Sequence, residues 1–183
     1  GSAFLSGIPG TIGGALAMNA GCYGSEIWSF VKKVKMINAD GDLIERNPNE
    51  FKVEYRKIQK KNKAENFVGA WFSFPKGKKL EAEESIRKLL FHRKSTQPLS
   101  WPSAGSTFKN PDNNHAAKLI EDCGLKGFKI GDAKISEKHA NFIINLGAAR
   151  AKDIEDLIKH IKKIVFKETK IKLIPEVEII GDV

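Results

Sequence analysis

The densest cluster of chemically useful positions is the run GIPGTIGGALAMNAG, residues 7–21, in which Gly7, Gly10, Gly13, Gly14 and Gly21 remove side chains near Asn19. Glycines let successive amide N–H groups turn into one concavity, and a helix starting near Gly13 would add its positive end, as in pyrophosphate sites. The spacing is not the dinucleotide fingerprint of a Rossmann fold, and no predicted strand precedes it. Composition and spacing alone favour a plainer alternative, a tight turn with packing glycines. The remaining polar candidates stand in ordinary company. Arg56 lies in a Lys-rich loop and reads as solvated surface, Ser106 reads as a turn serine with Ser103 an equal rival, and Glu176 reads as an outward carboxylate near a strand start. Cys22 and Cys123 lie far apart in no metal-ligand spacing, which predicts two reduced, packed thiols and no metal site.

The elements that must position these residues are of mixed type. Residues 33–46 alternate around Asp40-Gly41 and predict a hairpin with a tight turn. FVGAWFSF, residues 67–74, is apolar enough for a buried strand ended by Pro75. Between Glu81 and Arg93 the spacing of Ile86, Leu89, Leu90 and Arg93 predicts a helix with one apolar face, stopped before Pro98. The Pro- and Gly-rich stretch TQPLSWPSAGSTFKNPDN then predicts turns and an interdomain crossing, with a boundary near Ser95 and units over 1–94 and 95–183. Beyond it come a short helix, HAAKLIEDC, ended by Gly124, and two strands around a turn in GFKIGDAKIS and ANFIINLG. Residues 151–169 place Ile154, Leu157, Ile158, Ile161, Ile164 and Val165 at helical spacing, with acids early and lysines late. KLIPEVEII predicts a final alternating strand, with Pro175 at an edge or a strand start.

The chain has 183 residues, 41% hydrophobic and 29% charged, enough to bury a real core in one large or two small domains. No apolar run approaches the roughly 20 residues that cross a bilayer, so no membrane partner is expected. The formal charge of +9 raises the question of nucleic acid. The lysines are spread over separate loops and a helix face without aromatic interleaving, and solvated surface or a small anionic substrate fits them better.

GIPGTIGGA followed by MNAG resembles the second flavin-binding segment of the UDP-N-acetylenolpyruvoylglucosamine reductase family. Tyr55-Arg56, PSAGSTFKNP at 102–111, SEKHANFIIN at 136–145 and PEVEIIG at 175–181 resemble further family stretches in the same order. The resemblance implies an α+β fold: the second half of a vanillyl-alcohol-oxidase-type FAD-binding domain, then a smaller α+β substrate-binding domain. In that family NADPH reduces FAD, and the enolpyruvyl ether of UDP-N-acetylglucosamine then takes a hydride at its terminal carbon, giving UDP-N-acetylmuramate for peptidoglycan synthesis. The adjacent carbon becomes electron-rich, so the site needs a fixed cation near the carboxylate and a proton donor over the carbon. The resemblance assigns the cation to Arg56, the proton donor to Ser106, and to Glu176 a carboxyl group that polarises the carboxylate or steers the enol.

It assigns FAD to Ile8, Pro9, Gly10, Thr11, Gly13, Gly14, Asn19, Ala20 and Gly21. Substrate contacts fall to Tyr55, Gln97, Lys109, Asn110 and His139, although a lone His beside a strand is more often simply hydrogen-bonded. The implied protein is a monomeric, cytoplasmic bacterial enzyme with no nucleic-acid partner. Three features depart from the family pattern. Ile58 replaces a polar residue, the segments after Arg56 and after the last Gly are short, as in a compact subtype without the substrate-capping loop, and nothing resembles the amino-terminal flavin segment. That last departure leaves a second expectation, a nucleotide-sugar-binding fragment without catalysis.

Overall fold

The structure is a computed structural model that describes residues 1–181. The chain divides into two compact units, Gly1–Arg93 and Lys94–Val183.

The first unit opens with helix α1 (Ile12–Ala17), followed by the short hairpin β1 (Gly21–Cys22) and β2 (Ser25–Glu26). Its main sheet is antiparallel, with β3 (Val31–Ile37) between β4 (Leu43–Arg46) and the later strand β7 (Asn66–Phe72). Strands β5 (Lys52–Glu54) and β6 (Lys57–Gln59) form a separate hairpin, and α2 (Lys79–Thr96) follows. The period-2 pattern of β3 turns Val34 and Met36 fully inward beside Leu16, Ile27 and Trp28. Trp28, Phe51 and Phe67 stack over this core at 5.0–5.9 Å between ring centres. The Trp28 indole N–H donates to the Leu16 carbonyl at 2.8 Å and ties α1 to the core.

The expected β3–β4 hairpin turns tightly at Asp40-Gly41: the Gly41 amide donates to the Asn38 carbonyl at 3.3 Å with Gly41 at φ +89°, and Asn38 Oδ1 supports the turn by accepting from the amides of Asp40 and Asp42. Two other expectations need correction. Strand β7 is buried on one face only: Phe67, Ala70 and Phe72 pack inward while Val68 and Trp71 are exposed, because nothing in the unit covers the second face. Helix α2 is longer than predicted and buries no residue fully; Glu84–Lys88 and Lys79–Glu83 pairs at i,i+4 support its exposed side.

In the second unit the antiparallel sheet has the order β8 (Ser103–Ser106), β11 (Phe142–Asn145), β10 (Ala133–Ile135), β9 (Lys129–Ile130). Helices α3 (Ala116–Asp122) and α4 (Ala151–Thr169) share one core with it. Helix α4 spans the predicted residues. Leu157, Ile158, Ile161 and Val165 are buried, while Ile154 and Ile164 are partly buried at the margin. Its start is fixed by Asp153, whose carboxylate accepts from the Arg150 amide at 2.9 Å and the Arg150 guanidinium at 2.6 Å.

The predicted crossing around residues 103–106 is strand β8, because Gly105 at φ +79° lets the Pro- and Gly-rich segment stay in the sheet. GFKIGDAKIS folds into two strands rather than one, giving three with β11. The predicted terminal strand KLIPEVEII is only an isolated bridge between Phe108 and Pro175, since the chain meets a partner at that point alone. Leu157 is fully buried in the α4 stripe. Leu157→Ala is expected to destabilise the protein by about 2–5 kcal/mol, read as a lower denaturant midpoint.

Candidate active site

In the first unit the glycine-rich segment is held by its own geometry and by one arginine. Thr11 caps α1, its hydroxyl accepting from the Gly14 amide at 3.1 Å. The helix expected near Gly13 starts at Ile12 and has six residues, and of its first-turn amides that of Gly14 is taken by the Thr11 hydroxyl. The glycines serve different ends. A Cβ on Gly21 would sit 2.5 Å from the Ser25 carbonyl and one on Gly13 3.0 Å from the Phe67 carbonyl, so both allow close backbone packing. Gly10, at φ +129°, faces open space.

Asn19 is fully buried with φ +44°. Its Nδ2 donates to Glu26 at 2.7 Å and to the Glu54 carbonyl at 3.2 Å, whereas its Oδ1 is buried without a hydrogen-bond partner. An orphaned acceptor fits a ligand that presents an N–H or O–H.

Arg56 sits in the two-residue turn of the β5–β6 hairpin at φ +53°, half-buried rather than on a solvated loop. Its guanidinium donates to the carbonyls of Asn19 at 3.2 Å and Gly21 at 2.8 Å and lies over the exposed Tyr55 ring at 4.8 Å. Ile58 joins the apolar core, which explains why a polar residue is absent there. Cys22 receives a 3.4 Å contact from Arg93, and both cysteines are free and partly buried.

In the second unit Ser106 ends β8 opposite Phe142, while Ser103 lies opposite Ile144. Three steps along β8 thus match two along β11, a bulge at Ala104-Gly105 of the kind that re-aims a side chain. The bulge lies between the two serine candidates, and Ser103 Oγ accepts from the Gly105 amide at 3.4 Å. Past Ser106 the chain pairs with the carboxyl-terminal segment. The Glu176 amide donates to the Thr107 carbonyl at 2.8 Å and the Lys109 amide to the Ile174 carbonyl at 2.9 Å. Backbone pairing therefore brings Glu176 opposite Thr107, one residue from Ser106, although 70 positions of sequence separate that serine from Glu176.

The substrate candidates divide. Gln97 follows α2 and is half-buried, as is Lys109. Asn110 Oδ1 accepts from the Ala116 amide at the start of α3, so this side chain is partly committed to a cap. His139 is not hydrogen-bonded at Nδ1. That nitrogen is buried without a partner, and the ring packs edge-on against Phe142 at 4.8 Å. Burial, aided by Lys126, holds the His139 ring below its ordinary pKa. Two residues escaped the sequence analysis. Glu26 orients Asn19, and Asn141, 3% exposed, bonds Phe108 through both amide atoms. A polar residue between apolar neighbours in HANFIIN is the signal that could have found Asn141.

A glycine-rich segment closed by an arginine hairpin is thus followed by a separate antiparallel α+β unit. Residues 1–47 match the family model described as FAD binding domain, and residues 97–180 match UDP-N-acetylenolpyruvoylglucosamine reductase, C-terminal domain. The chain is 51% identical to the UDP-N-acetylenolpyruvoylglucosamine reductase of Nitrosomonas eutropha, over 99% of this chain and 56% of that protein. It is 50% identical to the one from Thiobacillus denitrificans, over 100% of this chain and 56% of that protein. The crystal structure of the Thermus caldophilus reductase superposes with a TM-score of 0.85 at 36% identity, covering 97% of this chain and 63% of that one. The chain belongs to the UDP-N-acetylenolpyruvoylglucosamine reductase family and spans 56% of the length of these two curated relatives.

A folded-state His139 pKa below the unfolded value near 6.5 means the folded unit prefers the neutral ring. The stability that this preference protects is complete above about pH 6.5 and falls as the pH drops below it. His139→Gln is expected to flatten the part of the stability profile that lies below about pH 6.5, measured by thermal unfolding across pH.

Proposed function

We propose that this chain carries the second flavin segment and the substrate-reducing residues of an NADPH-dependent FAD enzyme. The reaction converts UDP-N-acetylglucosamine enolpyruvate to UDP-N-acetylmuramate in peptidoglycan precursor synthesis, in a monomer of the bacterial cytoplasm. Family membership supplies the reaction class, and no helix among the described residues is long and apolar enough to cross a membrane. The observation that supports the site assignment is the pairing beyond the Gly105 bulge, which brings Glu176 opposite Thr107, the residue after Ser106.

The unsatisfied Asn19 Oδ1 and the open turn at Gly10 fit a flavin dinucleotide, held by Ile8, Pro9, Gly10, Thr11, Gly13, Gly14, Asn19, Ala20 and Gly21. Reduced by NADPH, FAD supplies a hydride when bound. Arg56 offers a permanent positive charge for the substrate carboxylate, where electron density collects once the terminal carbon of the enolpyruvyl group has gained the hydride. Ser106 Oγ–H gives its proton to the adjacent carbon and recovers one from solvent. A hydroxyl is a poor acid in water but an adequate one toward a carbanion or enol. Glu176 steers the carboxylate or the enol from the neighbouring strand. Tyr55, Gln97, Lys109, the amide N–H groups of Asn110 and His139 are the candidates for the nucleotide sugar.

Ser106→Ala in the complete enzyme is expected to keep reduction of the flavin by NADPH and to lose its reoxidation by the enolpyruvyl substrate, by about a hundredfold or more, in stopped-flow absorbance. Equal loss of both half-reactions would remove Ser106 from this role.

A further inference from the structure

Once β8 ends at Ser106, no regular strand pairs the next two residues, yet Thr107 and Phe108 are buried at 3% and 1% exposure. Buried peptide groups need partners, and one residue supplies most of them. The Thr107 amide donates to the Asn141 carbonyl at 2.8 Å, the Phe108 amide to Asn141 Oδ1 at 2.9 Å, and Asn141 Nδ2 to the Phe108 carbonyl at 2.8 Å. The fourth group, the Thr107 carbonyl, accepts from the Glu176 amide. Asn141 thus replaces a strand: its side-chain amide presents one acceptor and one donor to the two polar groups of a single residue. Asp keeps only the acceptor at that reach, Gln is one methylene too long, and Leu offers neither.

The peptide held in this way joins Ser106 to the point where Glu176 pairs. We infer that Asn141 is a positioning residue for reduction of the enolpyruvyl group, fixing the Ser106 hydroxyl relative to Glu176 by clamping the Thr107-Phe108 backbone. This inference rests on the functional reading above. Asn141 touches no reacting atom and acts through Ser106.

The test uses the complete FAD-loaded enzyme with Asn141→Asp, and with Asn141→Ser in case Asp does not fold. Reduction of the flavin by NADPH is expected to stay within twofold of wild type. Reoxidation by UDP-N-acetylglucosamine enolpyruvate is expected to slow at least tenfold, and in steady state kcat should fall while KM stays within threefold. A residue that acts through Ser106 has nothing left to position once the hydroxyl is gone. The Ser106→Ala/Asn141→Asp double variant should therefore be no slower in reoxidation than Ser106→Ala alone. Reoxidation within twofold of wild type, equal slowing of both half-reactions, or a further tenfold loss in the double variant would each overturn the inference. If Ser106→Ala itself leaves reoxidation intact, the functional reading falls instead; if it abolishes reoxidation while the Asn141 variants retain it, only the clamp falls.

Discussion

The first unit is organised around the guanidinium of Arg56, which reaches from a hairpin turn to the carbonyls of Asn19 and Gly21. Those carbonyls end the glycine-rich segment, whose glycines lose much backbone freedom on folding, a cost that the two hydrogen bonds help offset. Two of the five N–H groups of the guanidinium are spent on this closure, a fork that Lys could not reproduce. Glu26 and the Glu54 carbonyl complete the cage from Asn19 Nδ2, and Asn19 Oδ1 is left buried without a partner. Arg56 thus joins the proposed cofactor segment to the proposed substrate cation within one folded unit.

The second unit reaches a comparable result by backbone pairing. A single extra residue at the Gly105 bulge takes the chain out of the β8–β11 register just before Ser106. The next residues then pair on one side with Asn141 and on the other with residues 174–176. The sheet and α4 form a rigid support, and the chemistry is assigned to the irregular backbone at its edge, where side chains can be aimed.

What could be read from the sequence was what depends on neighbours within a few residues. The α4 stripe, its acidic first turn and the β3–β4 alternation are local signals, and each gave an element where it was expected. The KLIPEVEII strand failed because alternation cannot say whether a partner exists, and here one bridge does. Residues 103–106 failed for the opposite reason: their prolines and glycine signal turns, while the sheet imposes a strand. The site shows the same division. Gly7 to Gly21 announce an unusual backbone by composition, but Arg56 lies 37 positions from Asn19 and Asn141 33 from Phe108. No periodicity links residues at such separations, so only the likeness of ordered motifs to a family picked out Arg56, Ser106 and Glu176. Asn141 became visible only through its hydrogen bonds.

The most direct test of the central claim is the affinity of the complete protein for FAD, titrated by flavin fluorescence in wild type and in Arg56→Ala. If Arg56 closes the cofactor segment, removing its two carbonyl contacts should weaken FAD binding at least tenfold while the protein stays folded. An affinity within twofold of wild type would contradict the account and leave Arg56 as a substrate cation only.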